Sequence, residues 1–123
     1  MTDTTAWAHL PNAKHIDRIL ADLAENPDTW DVAYNITWTD AYYDARDSAR
    51  EVGIAAGRDD VWTIAWYVIG PGARSAIFAL IAYDDCGYLL DEKPEDVKML
   101  ALLGNNAAIL IYPACVSLQK ETS

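Results

Sequence analysis

The chain has 123 residues, 52% of them hydrophobic, and a formal charge of −10 from 19 acidic against 9 basic residues. That length supports one domain with a single core and leaves no room for two. The acidic balance makes nucleic-acid phosphate a poor partner for the surface as a whole and favours a basic protein surface, or a site that normally binds DNA, as its complement.

The opening stretch MTDTTAWAHLPN has no charged segment followed by an apolar one, so a cytoplasmic location is expected rather than secretion. Residues 1–11 are expected to be a flexible segment, residues 12–118 a single helical domain, and residues 119–123 a flexible tail. Within the domain the first apolar pattern is Ile16, Ile19, Leu20 and Leu23, spaced i, i+3, i+4, i+7, with Asn12 ahead and Asn26-Pro27 behind. This predicts an amphipathic helix over 12–25, with Lys14, Asp17, Arg18 and Asp22 on its solvated side.

Asp28 offers an N-cap for a second helix, which carries a four-residue beat: Trp30, Tyr34, Trp38, Tyr42, Arg46, Arg50. Four residues turn an α-helix by about 400°, so this stripe creeps about 40° per repeat and has rotated about 160° by Arg46. A stripe that starts against the core must therefore leave it, and arginine replaces the aromatics where it reaches water. Tyr42, Ala45, Ala49 and Val52 form the expected apolar face, whose alanines let a neighbouring helix approach closely. Asn35-Ile36-Thr37 are indifferent helix formers, which predicts a kink or break at Thr37–Thr39.

Gly53, Gly57 and Arg58-Asp59-Asp60 are expected to end this element, with Asp59 or Asp60 capping the next. Residues 61–69 are apolar on every side, and the continuing beat of Trp62 and Trp66 predicts a buried helix rather than a strand. Val61 to Tyr83 is nearly long enough to cross a bilayer, but Gly70-Pro71-Gly72 divides it. Each half reaches about 15 Å as helix against a hydrocarbon core of about 30 Å, so a buried hairpin is expected and no membrane span.

A further helix is expected from Arg74 to Leu90, with Gly87 in its last turns. Pro94 at a first helical position, Glu95 and Asp96 in the first turn and Gly104 as a stop predict another. Asn105-Asn106 can cap a last helix, in which Pro113 lacks a backbone donor and should bend the path; a short buried strand is the alternative there.

Three features could carry function. Asp40, Asp44, Asp47 and Glu51 place four carboxylates on one side of the second helix. They read as a solvated face partly balanced by Arg46 and Arg50, as a docking surface for a basic partner, or as a divalent-cation site. Asp84-Asp85-Cys86 sets carboxylates and a thiol in an apolar segment, the composition of a perturbed, reactive site. Neighbouring residues on a helix diverge, however, and an Asp paired with Arg74 or with helix-end amides is the plainer reading. Cys86 and Cys115 read as buried thiols, with a disulfide between their segments as the alternative. The five tryptophans read as core fillers, with a ligand cage as the alternative. No phosphate-binding glycine loop, HExxH or paired CxxC motif is present, and no cofactor is expected.

WDVAY, WTDAYYDARDSARE and WTIAW, followed by ALIAYDDCGYLLD and AAILIYPACVSL, give the chain a resemblance to a family of bacteriophage and bacterial proteins. Those proteins carry alanine-rich tetrads of the form W/R-D-A-A, an apolar-DDC-leucine segment and a C-terminal LLLPA-like run. The tetrads here depart from the pattern, with Val, Ile and Thr where the family has Ala. The resemblance implies a phage or prophage origin and a helical fold; it carries no activity and so no catalytic residues.

The expected architecture is all-α, a compact bundle of five or six helices packed closely through alanine. So many aromatic and aliphatic residues in a small subunit also predict a homo-oligomer. The expected function is non-enzymatic binding of a host or virion protein through Asp40, Asp44, Asp47 and Glu51. A self-assembling virion component is the alternative from a different class, and a small hydrolase or thiol enzyme using Asp84, Asp85 and Cys86 is the third.

Overall fold

The structure, a computed structural model, describes residues 7–25, 39–69 and 71–122. Among these the chain is a bundle of six α-helices and one 3-10 helix, without strands: α1 (Ala13–Glu25), α2 (Thr39–Ala55), α3 (Asp59–Val68), α4 (Pro71–Ala82), the 3-10 helix (Gly87–Asp91), α5 (Pro94–Leu102) and α6 (Asn106–Thr122). The beginning of the aromatic stripe (Trp30, Tyr34, Trp38), the helix start expected at Asp28 and residues 37–38 of the expected break lie outside the described residues.

Helices α4 and α6 are the two central rods. From Ala76 to Ala82 every residue of α4 is buried, and from Ala108 to Cys115 every residue of α6 is buried, because each has neighbours on all sides. Helix α2 crosses both, α1 lies on α4 and α6, α3 on α4, and α5 and the 3-10 helix close over α6. The inward face of α2 carries Ala45 and Ala49, both with no exposed surface, and α4 and α6 present Ala73, Ala76, Ala79, Ala108 and Ala114 to their surroundings. Small side chains at these positions bring the helix axes close, which is the packing the alanine beat predicts.

The helix ends follow local chemistry. Two helices stop in the same six-residue motif, in which a left-handed glycine follows the helix and two amide groups double back to its last carbonyls. At α2 Gly57 has φ +77°, with Arg58 N donating to Gly53 O at 2.8 Å and Gly57 N to Ile54 O at 3.0 Å. At α5 Gly104 has φ +91°, with Asn105 N donating to Leu100 O at 3.1 Å and Gly104 N to Ala101 O at 3.0 Å. Asn105 then caps α6 by accepting from Ala108 N at 2.9 Å, and Pro113 sits inside that helix where a strand was the alternative. Asp59 and Asp60 occupy the first turn of α3, where the helix dipole favours them, but no side chain caps it.

Several expectations are corrected. Trp7 and Leu10, placed by the sequence in a flexible segment, are 1% and 5% exposed and belong to the core. Asp22, read as solvated, is buried and accepts a hydrogen bond from Ser117 Oγ at 2.6 Å, linking α1 to α6. Val52 is exposed, and Gly53 takes the inward position beside Trp62. Helix α3 is not buried all round: Val61, Trp62 and Ala65 face inward, while Ile64, Trp66, Tyr67 and Val68 face out. Helix α4 ends at Ala82 instead of running to Leu90, because Asp84 and Asp85 form a turn before the 3-10 helix begins. Where a tail was expected from residue 119, α6 continues to Thr122.

The end of α4 explains why the chain turns there. The last carbonyls of a helix have no partner within it, and buried ones must find one elsewhere. Asn12 Nδ2 reaches across from the start of α1 and donates to Leu80 O at 3.0 Å and Tyr83 O at 2.8 Å. Arg58 Nη1, from the α2–α3 corner, donates to Ile81 O at 2.8 Å. The thiol of Cys86 approaches Ala79 O at 3.3 Å and Tyr83 O at 3.2 Å. Three side chains from separate parts of the sequence thus stop one helix.

Candidate functional site

Helix α2 carries the sequence-predicted site. Its inward face is fixed by Tyr42, Ala45 and Ala49, which leaves Asp40, Asp44, Asp47 and Glu51 all exposed along the opposite side. Arg46 and Arg50 do not balance these carboxylates at contact distance. Among the described residues the ion pairs are Arg18 with Asp91 and Arg58 with Asp84, neither on this helix. The guanidinium of Arg46 turns instead to aromatic rings, 5.0 Å from the centre of Tyr43, 5.7 Å from Trp66 and 5.8 Å from Tyr42. The acidic row therefore keeps its field. Among the described residues no three carboxylate, thiol or imidazole groups converge to hold a metal ion.

Beside the row, α2 and α3 enclose a half-open cavity of about 280 Å³. Arg46, Asp47 and Arg50 line it from α2, and Trp62, Thr63, Trp66 and Tyr67 from α3. Its floor is an aromatic stack: Phe78 of α4 lies 3.9 Å from Trp62 and 5.8 Å from Trp66, nearly parallel to both. Arg74 lies over Trp66 at 4.3 Å and donates to Ile69 O at 3.2 Å, not to an Asp of the 84–85 turn. The sequence reading of the tryptophans as core fillers holds for Trp7 and Trp62; Trp66 is 38% exposed at the cavity. The signal that could have found this site is the outward rotation of the stripe itself, which places Arg46 and Arg50 on the side that α3 approaches.

The structure does not bring Asp84, Asp85 and Cys86 together: the two carboxylates face water and the thiol is buried. Asp84 is exposed and ion-paired with Arg58, whose hydrogen bond holds its carboxyl below the usual range. Asp85 is exposed, whereas Cys86 is 3% exposed and faces the end of α4. Burial, and next the negative charge of Asp85, push the Cys86 thiol from 9.0 up to about 12. At neutral pH a thiol held that high stays protonated, and the thiolate is the nucleophilic form. Cys115 is pushed up to about 12 in the same way by burial, and donates to Leu89 O at 3.0 Å. Both cysteines are free thiols, which removes the disulfide alternative.

These thiols give a pH prediction. Each binds its proton more tightly in the folded chain, so its contribution is intact below pH 9.0 and is lost as pH climbs toward about 12. The expected loss is up to about 1.4 kcal/mol per pH unit per thiol across that window. Urea unfolding at pH 8 and pH 10.5 measures it, and Cys86→Ala should flatten the dependence. Iodoacetamide should label neither cysteine at pH 8 until the chain is unfolded.

Among the described residues no helix is long and apolar enough to cross a membrane. No family model, curated protein or solved structure matches the chain.

Proposed function

We propose that the chain is a non-enzymatic binding protein that docks the acidic row of α2 on a basic surface of another protein. The observation that carries this reading is that Asp40, Asp44, Asp47 and Glu51 are all exposed and, among the described residues, none is ion-paired, although two arginines stand on the same helix. Tyr43, Ile54 and Tyr67, 45%, 48% and 81% exposed, lie on the same two helices. Aromatic and aliphatic anchors beside a charged rim are the composition of a protein interface. The resemblance of the tetrads and the DDC segment to phage and bacterial proteins makes a host or virion protein the partner class, met in the bacterial cytoplasm.

The test is capture from bacterial lysate with the tagged chain and with a variant carrying Asp40→Asn, Asp44→Asn, Asp47→Asn and Glu51→Gln. A dominant basic protein should be retained by the parent chain, released between about 0.05 and 0.5 M salt, and reduced at least about tenfold on the variant. Equal capture by both chains would remove the row from the interface.

A second reading, a self-assembling component, rests on a different surface. Met99, Leu102 and Leu103 at the end of α5 are 59%, 62% and 79% exposed, a cluster of large apolar side chains in water. Sedimentation of the parent chain and of Leu103→Glu separates the two: a large assembly dispersed by that substitution favours self-association.

A further inference from the structure

The cavity between α2 and α3 has a chemistry opposite to that of the chain around it. Of nine basic residues in a chain of charge −10, Arg46 and Arg50 line it and Arg74 stacks on its Trp66. Arg46 and Arg50 are one helical turn apart, a spacing that puts both side chains on one face of the helix. Among the described residues neither has a carboxylate at ion-pair distance. The contacts of Arg46 with its neighbouring rings, at 5.0 to 5.8 Å, are cation–π contacts and not hydrogen bonds, so its N–H groups can grip an oxyanion in the forked geometry that arginine favours.

The other walls add two demands. Trp66 and Tyr67 offer partly and largely exposed rings, and the stack on Phe78 holds Trp62 and Trp66 in place, so the aromatic wall is formed before any ligand arrives. Asp47 brings to the same cavity an exposed carboxylate with no ion-pair partner among the described residues. Thr63 spends its hydroxyl proton on Asp59 O at 3.0 Å and presents only lone pairs. A simple anion would satisfy the arginines and be repelled by Asp47; a ligand with an N–H donor satisfies both.

We propose that this cavity binds a small ring-bearing oxyanion that also carries an N–H donor, with the oxyanion on Arg46 and Arg50, the ring against Trp66 and Tyr67, and the donor on Asp47. A volume of about 280 Å³ lies just below the roughly 300–1,000 Å³ of sites for drug-sized ligands. It suits a ligand the size of an amino acid or a mononucleotide and is too small for a dinucleotide. Two sources share this chemistry: an aromatic amino acid, through its carboxylate and ammonium, and a nucleoside monophosphate, through its phosphate and exocyclic amine.

Isothermal titration of the intact chain with L-phenylalanine and, separately, with AMP tests the site and distinguishes the sources. At least one should bind with a Kd below about 1 mM. Arg50→Gln, at an exposed position where the fold is not at risk, should weaken that ligand at least about tenfold. Arg18→Gln, which removes a cation remote from the cavity, should leave it unchanged. Binding of AMP alone assigns a phosphate, and binding of phenylalanine alone assigns a carboxylate. Heat from neither ligand, or equal affinity in Arg50→Gln, overturns the proposal. The triple substitution Asp40→Asn, Asp44→Asn, Glu51→Gln spares Asp47 and should keep ligand binding, so this site stands or falls separately from the docking row.

Discussion

Replacing Phe78 with alanine is expected to lower the unfolding free energy by about 3–5 kcal/mol and the melting temperature by roughly 10–20 °C. Phe78 has no exposed surface and sits on the central helix α4, and its ring supports Trp62 and Trp66 from beneath. Removing it opens a void that the surrounding helices cannot fill without losing their own contacts, and a domain of this size has only about 5–15 kcal/mol in total. The loss also has a functional reading. Once the stack is gone, Trp66 is no longer held parallel to a neighbour, and the wall of the α2–α3 cavity loosens. Thermal unfolding with near-ultraviolet circular dichroism measures both effects. Phe78→Leu, which refills most of the space without a flat ring, should recover much of the stability and little of the aromatic signal.

Gly87→Ala should cost about 2–4 kcal/mol, combining overpacking with damage to a buried cap. A methyl group there would collide with the His15 ring and come within 2.6 Å of Asn12 Oδ1. Asn12 cannot yield without releasing Leu80 O and Tyr83 O, the carbonyls it satisfies at the end of α4. Asn12→Ala attacks the same hub from the other side and should cost a comparable amount. If the two share one mechanism, the double variant loses less than the sum, by about 1 kcal/mol or more in a denaturation cycle. Full additivity would mean that Gly87 and Asn12 act independently.

What the sequence made legible is whatever depends on near neighbours along the chain. The spacing of Ile16, Ile19, Leu20 and Leu23 placed α1 within a residue of its observed start, and Pro94 with Gly104 bracketed α5. The stripe arithmetic puts Tyr42 on the apolar face and both arginines at the border with water; α2 buries Tyr42, half-buries Arg46 and exposes Arg50. The misreadings share a different cause. The sequence overextends α4 because Asp84 and Asp85 read as intrusions in an apolar run, although short acidic side chains favour turns over helix interiors. Helix α3 reads as wholly buried because hydropathy records what a side chain prefers, not whether a neighbour exists to cover it.

The site was legible in part for the same reason. The four carboxylates follow from helical geometry alone. That Arg46 turns toward Tyr43 and Trp66, instead of toward Asp40 or Asp44, depends on α3 returning alongside α2. The bonds that tie the fold together, from Asn12 to Leu80 and from Ser117 to Asp22, span 68 and 95 residues. No local pattern encodes such partners, and Asp22 looked solvated because nothing near it in sequence said otherwise.

Docking through the acidic row of α2 can be read residue by residue in an amide NMR titration of the labelled chain with a short lysine-rich peptide at low salt. Shifts should concentrate between residues 40 and 54 and in the facing turns of α3, and vanish in the chain carrying Asp40→Asn, Asp44→Asn, Asp47→Asn and Glu51→Gln. Shifts spread evenly over the other acidic positions, such as Asp59, Asp60, Glu95 and Asp96, and persisting in that variant, would contradict it.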